Sequence, residues 1–232
     1  MWKVSPRAAG AFCALALLLS VNGCRRHRKT TSAPNTTDYS DNLEPLVAAK
    51  QLAFLRWPNV SDYQPLVQTF YEDRNYEIAW TRDGKPTAAA TGFIQAFHDA
   101  DRKGLNPEDY DNSRWDDRIQ MLSPKEEQAV AQFDVAMTVS VMRFISDLRI
   151  GRVNPTHFHF DINVADKKYD LAEFVSDNAV DVTDVPALLK KVEPDSELYR
   201  RTEQALARYI DLAKQQRQQG GEDLPEVKSA VL

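Results

Sequence analysis

The segment "KEEQAVAQFDVAMTVSVMRFISDLRIGRVNP" (Lys125–Pro155) constrains the fold more than any other. Val130, Phe133, Met137, Val141, Phe144 and Leu148 recur at spacings of three and four, the pattern of one helix face. Val135, Val139, Met142 and Ile145 widen that face. A helix this apolar is expected at the centre of a domain, contacted on several sides. Acids open it and Arg149 closes it, as the helix dipole favours. Gly151 and Pro155 end it.

The rest of the body supplies partners for such a helix. "NLEPLVAAKQLAFL" places Leu46, Ala49 and Phe54 near one face. In "NVSDYQPLVQTFYEDR", Ser61 followed three residues later by Gln64 reads as a capping box. Its apolar face is Tyr63, Leu66, Val67, Phe70 and Tyr71, and Pro65 lies in the first turn, where a missing N–H matters least. "NYEIAWTRDGKP" is different: Tyr76, Ile78 and Trp80 alternate, which predicts an extended segment before the "RDGKP" turn, with no obvious sequence neighbour to pair with. Three further helices follow. "DLAEFVSDNAV" carries Leu171, Phe174 and Val175. "DVPALLKKV" carries Leu188 and Leu189, with Asp184 as cap and Pro186 in the first turn. "DSELYRRTEQALARYIDLAK" carries Leu198, Leu206, Tyr209, Ile210 and Leu212, with its Arg and Glu residues facing solvent. The pattern predicts an all-α single multi-helix domain with one short extended segment.

"DADRKGLNPEDY" (Asp99–Tyr110) opens like a calcium loop. The ligand positions do not hold up. Lys103 occupies position 5, Pro107 position 9, and Tyr110 the position of the bidentate Glu. The stretch reads instead as a corner. Apolar Phe93, Ile94 and Phe97 mark the preceding helix, and Lys103 suits its last turn. Gly104 is placed to take the left-handed conformation, and Leu105 to fold back on the last turn as in a Schellman motif. Asn106 then caps the next helix, Pro107 is its first residue, and Asp109 sits near its positive end.

The N-terminus has the layout of an export signal. Lys3 and Arg7 precede an apolar core, Ala8 to Val21, of 14 residues. That is short of the ~20 needed to span a bilayer and right for a signal sequence. "SVNGC" resembles a bacterial lipobox, which makes Cys24 the expected site of lipid attachment. "RRHRKTTSAPNTTDYS" then reads as a flexible tether whose basic start suits anionic headgroups. The only cysteines are Cys13 and Cys24, so everything later is thiol-free. The net charge is −5, becoming −7 once Lys3 and Arg7 leave with the signal, which argues against nucleic-acid binding. Residues 215–232 read as a polar tail.

Composition and spacing point to no active site. His157 and His159 in "HFHF" lie two residues apart, but alternation with Phe158 and Phe160 accounts for the pattern without a metal. The acids Asp99, Asp101, Glu108, Asp109, Asp111, Asp116 and Asp117 read as solvated faces and caps. No Gly-rich phosphate loop, G-x-S-x-G elbow or H-E-x-x-H motif occurs.

Three stretches add a resemblance. "FYEDRNYEIAW" (Phe70–Trp80), "AFHDADRKGLNPEDY" (Ala96–Tyr110) and "FISDLRIGRVNP" (Phe144–Pro155) occur in order, followed by "LYRRTEQALARYIDLA". Together they resemble the N-terminal scaffold domain of the large YcbB-type murein L,D-transpeptidases, from about Leu46 to Ala213. The signature that transfers is Phe70, Tyr71, Trp80, Gly104, Leu105, Pro107, Tyr110, Arg149, Gly151 and Pro155. Its large rings are expected to bury themselves around the corner. With the termini read above, the chain is expected to divide into a lipoprotein signal peptide (1–23), a tether (24–41), the scaffold-like domain (42–214) and the tail (215–232).

Enzymes of that family are periplasmic and cross-link peptidoglycan stem peptides. They follow the scaffold with a peptidoglycan-binding module and a catalytic domain bearing a nucleophilic Cys in an S-x-G-C-type motif. This sequence has no such motif and no Cys beyond Cys24, so no catalytic residue carries over. The resemblance therefore implies a non-catalytic scaffold-domain lipoprotein on the periplasmic side of the cell envelope, without cofactor or metal. Its implied partners are a separate L,D-transpeptidase catalytic subunit or peptidoglycan, with the membrane held through the lipid. Two other expectations compete: a truncated or split L,D-transpeptidase, and an unrelated envelope enzyme using the clustered carboxylates or His157/His159.

Overall fold

Helix α5 (Glu127–Arg149) is the axis of the fold. Val130, Phe133, Met137, Val141, Phe144 and Leu148 are all buried, as are Val135, Val139, Met142 and Ile145. The computed structural model describes residues 38–152 and 170–218. Cys24, Pro155, His157 and His159 lie outside them. Around α5 pack α1 (Ser40–Ala48), α2 (Gln64–Asp73), α3 (Ala88–His98), α4 (Trp115–Met121), α6 (Leu171–Phe174) and α7 (Val185–Val192). The last helix, α8 (Glu197–Gln218), rests on the short 3-10 turn Ala100–Lys103. By length and hydropathy α5 could cross a membrane, but 78% of that window is buried inside the protein, which marks a core helix.

The fold is mostly helical, with a two-strand hairpin. Strands β1 (Thr81–Arg82) and β2 (Lys85–Pro86) pair antiparallel, Thr81 opposite Pro86 and Arg82 opposite Lys85. Asp83 and Gly84 form the two-residue turn at φ 51° and 68°, the geometry that matches strand twist. The extended segment thus finds its neighbour across its own turn, one step later than the alternation placed it. Thr87 follows and caps α3, its side chain accepting from the Ala90 N–H at 3.1 Å.

Several local readings need correction. Helix α1 stops at Ala48, and its buried residues are Leu43 and Val47; Leu46, Ala49 and Phe54 are only partly buried. The chain beyond it is a loop, closed by a bridge between Gln51 and Asn59. Distant side chains hold that loop down. Arg114 and Arg118 both donate to the Phe54 carbonyl, and Arg56 N–H donates to the buried Asp111. The capping box at Ser61 does not form. Ser61 donates to Asn59, α2 begins at Gln64, and the buried Gln64 amide reaches across to the Val47 carbonyl at 3.2 Å. A tertiary acceptor has won over the local cap. The helix after Asp170 loosens into a π-turn at Val175–Ala179. Ser40 and Asp41 belong to α1, and α8 continues to Gln218.

Helix α8 departs furthest from expectation. Among its residues none is fully buried, and Leu198, Tyr209 and Leu212 are 77%, 71% and 58% exposed. They form a row facing water, whereas Leu206 faces the body beside Gly104. Glu203 does not face solvent freely; it pairs with Lys103.

Candidate functional site

The signature residues collect in three places. Tyr71 and Trp80 bind the mid-helix Asp134, and Phe70 packs edge-to-face on Tyr71 at 5.0 Å. Asp134 is fully buried. It accepts from Tyr71 OH at 2.8 Å, from Ala79 N–H at 3.0 Å and from Trp80 N–H at 2.8 Å. One turn on, Thr138 Oγ1 accepts from the Trp80 indole N–H at 2.9 Å. Burial pushes the Asp134 carboxyl above its ordinary range, although these donors pull the other way. So the rings of Phe70, Tyr71 and Trp80 do not gather at the corner. A ladder of aromatic contacts links them to it: Trp80 to Phe93 at 5.9 Å, Phe93 to Phe97 at 6.2 Å, and Phe97 to Tyr110 at 5.6 Å.

The corner itself is the second place. Gly104 sits at φ 73°, with Leu105 N–H donating to the Ala100 carbonyl and Gly104 N–H to that of Asp101. That bond pair is a Schellman motif, built here on a 3-10 turn. Asn106 caps the next turn by accepting from Glu108 N–H at 3.1 Å, and Pro107 is its first residue. The turn is only Pro107–Tyr110, ending at Asp111 in the left-handed region. Tyr110 is buried between Phe97 and Phe144 and donates to Asp147 at 2.7 Å. Burial, then the Asp147 charge, keeps the Tyr110 phenol protonated far above its usual range. Asp111 forms a buried ion pair with Arg118, whose guanidinium lies over the Trp115 ring. Among the clustered acids, Asp111 therefore serves the fold here. Among the described residues no group of His, Cys, Asp and Glu could hold a metal ion.

The third place is a cleft of about 810 Å³. Gln95 and Ala96 of α3, with Asp99 just past its end, line it together with Leu189, Lys190 and Lys191 of α7. Tyr199, Arg200 and Glu203 of α8 close it, with Phe144 and Arg149 at the end of α5 beneath. At Gly92 an added Cβ would lie 2.7 Å from a Val185 methyl, so only glycine lets α3 and α7 approach this closely. Lys103 sits between two carboxylates, 2.5 Å from Glu193 and in close contact with Glu203. Burial disfavours its ammonium, but the two acids outweigh that and raise its pKa. Burial and the nearby Glu193 raise the Tyr199 phenol too. Arg149 is thus the signature residue that lines the cleft directly. Gly151, at φ 101°, ends α5 in open space.

The family model described as the scaffold domain matches residues 65–206, more than half of the chain. The chain belongs to the scaffold-domain family of the L,D-transpeptidases. No curated protein and no solved structure matches it. The matched span of the scaffold domain runs from the first turn of α2 to the middle of α8, so all three clusters lie within it.

Sequence reasoning overlooked Asp134, Thr138, Asp147 and the Lys103–Glu193–Glu203 group. Asp134 had a readable signal: a carboxylate between Phe133 and Val135 on an apolar helix must find partners. The lysine group had none, because Lys103 and Glu203 are 100 residues apart.

Proposed function

We propose that the protein is a non-catalytic scaffold-domain lipoprotein of the cell envelope. It faces the periplasm, is held through lipid on Cys24, and serves peptidoglycan cross-linking by docking a separate L,D-transpeptidase catalytic subunit or the wall itself. The observation that carries this reading is the family match over residues 65–206. The exposed row Leu198, Tyr209 and Leu212 gives α8 an apolar surface of the kind that macromolecular contacts cover.

The test is recovery from cross-linked envelope extracts, together with cosedimentation on purified peptidoglycan. An L,D-transpeptidase in the eluate, or protein in the peptidoglycan pellet, is the expected result. Neither one appearing overturns the reading. So does purified protein that forms or cleaves muropeptide cross-links unaided.

A further inference from the structure

The body holds α8 by one face and leaves another free. Leu206 faces Gly104, Glu203 pairs with Lys103, and Asp211 accepts from Arg102 at 3.4 Å. On the outer face, Leu198, Thr202, Ala205, Tyr209 and Leu212 recur at alternating steps of four and three. That is the order of d and a positions over two heptads, the seam one helix offers to another. Ala205 is partly buried and the other four are exposed. The stripe is narrow, because Arg201 and Arg208 border it on one side and the body-facing Leu206 on the other. A helix that lies in a membrane interface presents a broad apolar face. A stripe confined to a and d is the coiled-coil seam.

The charges beside the seam say what kind of helix fits it. In this heptad order Arg201 and Arg208 take g positions, which meet a partner's flank. Arg201 pairs with Glu197 of its own helix, both side chains well exposed, and such a pair is worth little. Among the described residues Arg208 has no ion pair. A second copy of this chain does not answer these cations. Antiparallel, g meets g, and arginine faces arginine. Parallel, g meets e, where this helix carries Tyr199, Leu206 and Ala213.

We propose that the outer seam of α8 docks one helix of a partner protein, apolar along its own seam and carrying carboxylates on the flank that meets Arg201 and Arg208. The inference rests on the scaffold reading and deepens its partner-docking part. Fluorescence anisotropy with the full chain tests it, using two labelled helical peptides of about three heptads. Both have Leu at every a and d position; one has Glu at e and g, the other Lys. The Glu peptide is expected to bind about tenfold or more tightly, with the preference shrinking as salt rises. The net charge of −5 would by itself favour the Lys peptide, so a preference for Glu reports the local flank.

Tyr209→Ser with Leu212→Ser changes only exposed side chains and should weaken the Glu peptide about tenfold, at an unchanged unfolding midpoint. Arg201→Glu with Arg208→Glu should turn the preference toward the Lys peptide. Equal affinity for the two peptides, binding of neither, or an unchanged preference in the charge-reversed variant overturns the proposal. So does a dimer in sedimentation, or adsorption to phosphatidylglycerol vesicles, that the Tyr209 and Leu212 double variant abolishes, since a second copy or lipid is then the occupant. If the proposal fails while a transpeptidase is still recovered from the envelope, the α8 assignment falls and the scaffold reading stands.

Discussion

Asp134 shows how one residue can be costly and required at once. Its carboxylate lies in the apolar heart of α5, yet it fixes the backbone of Ala79 and Trp80 and the phenol of Tyr71. Asp134→Ala strands those donors in a dry interior, where each unsatisfied group costs ~1–3 kcal/mol. We expect a loss of about 3 kcal/mol or more in urea unfolding, and a smaller loss for Asp134→Asn, which keeps one acceptor. Asp147 makes a matching prediction about pH. Burial raises its pKa above the ordinary 3.8, although the Tyr110 hydrogen bond lowers it. Above that ordinary value the folded chain holds this proton more tightly than the unfolded chain does. The contribution of Asp147 to stability therefore declines as pH rises from 3.8 through its raised pKa. Asp147→Asn should flatten that part of the stability–pH curve; an unchanged slope would show that the group does not titrate there.

At the scale of elements, the corner and α8 invite opposite expectations. Phe97 touches Phe93, Tyr110, Trp115 and Phe144, so the helix before the corner is locked to the helix core. Phe97→Ala should cost ~3–5 kcal/mol, the range for a buried ring removed from a core. Gly104→Ala should cost ~1–2 kcal/mol through the left-handed backbone alone, since the nearest atom to an added Cβ is 3.6 Å away. Helix α8 buries no residue fully. Its removal after Pro194 should leave one cooperative unfolding transition, with a midpoint lowered by only a few degrees. Collapse of the body on truncation would mean that α8 is part of the core. Local signals marked where the elements start and stop at the corner, because Gly104, Asn106 and Pro107 act through their own backbone. The capping box at Ser61 failed because Gln64 found a better acceptor in Val47, and no window around Ser61 contains that information.

Across the whole molecule, the body packs its helices around α5, while α8 keeps Leu198, Tyr209 and Leu212 exposed. The proposed lipid attachment at Cys24 is testable directly: labelled palmitate should enter the wild-type protein in envelope-producing cells and be lost in Cys24→Ala. Labelling that persists in the variant, or none in the wild type, would overturn that proposal. The amino-acid sequence alone determined the central helix, the corner and the family, because these rest on periodicity and turn chemistry that neighbouring residues carry themselves. Only the tertiary structure decided where the charges meet. The donors to Asp134, the Lys103 pairing and the lining of the cleft join residues far apart in the chain, and burial, not spacing, gives those groups their chemistry. The same holds for α8: its apolar residues read as core in the sequence, and only the packing of the finished body left them facing water.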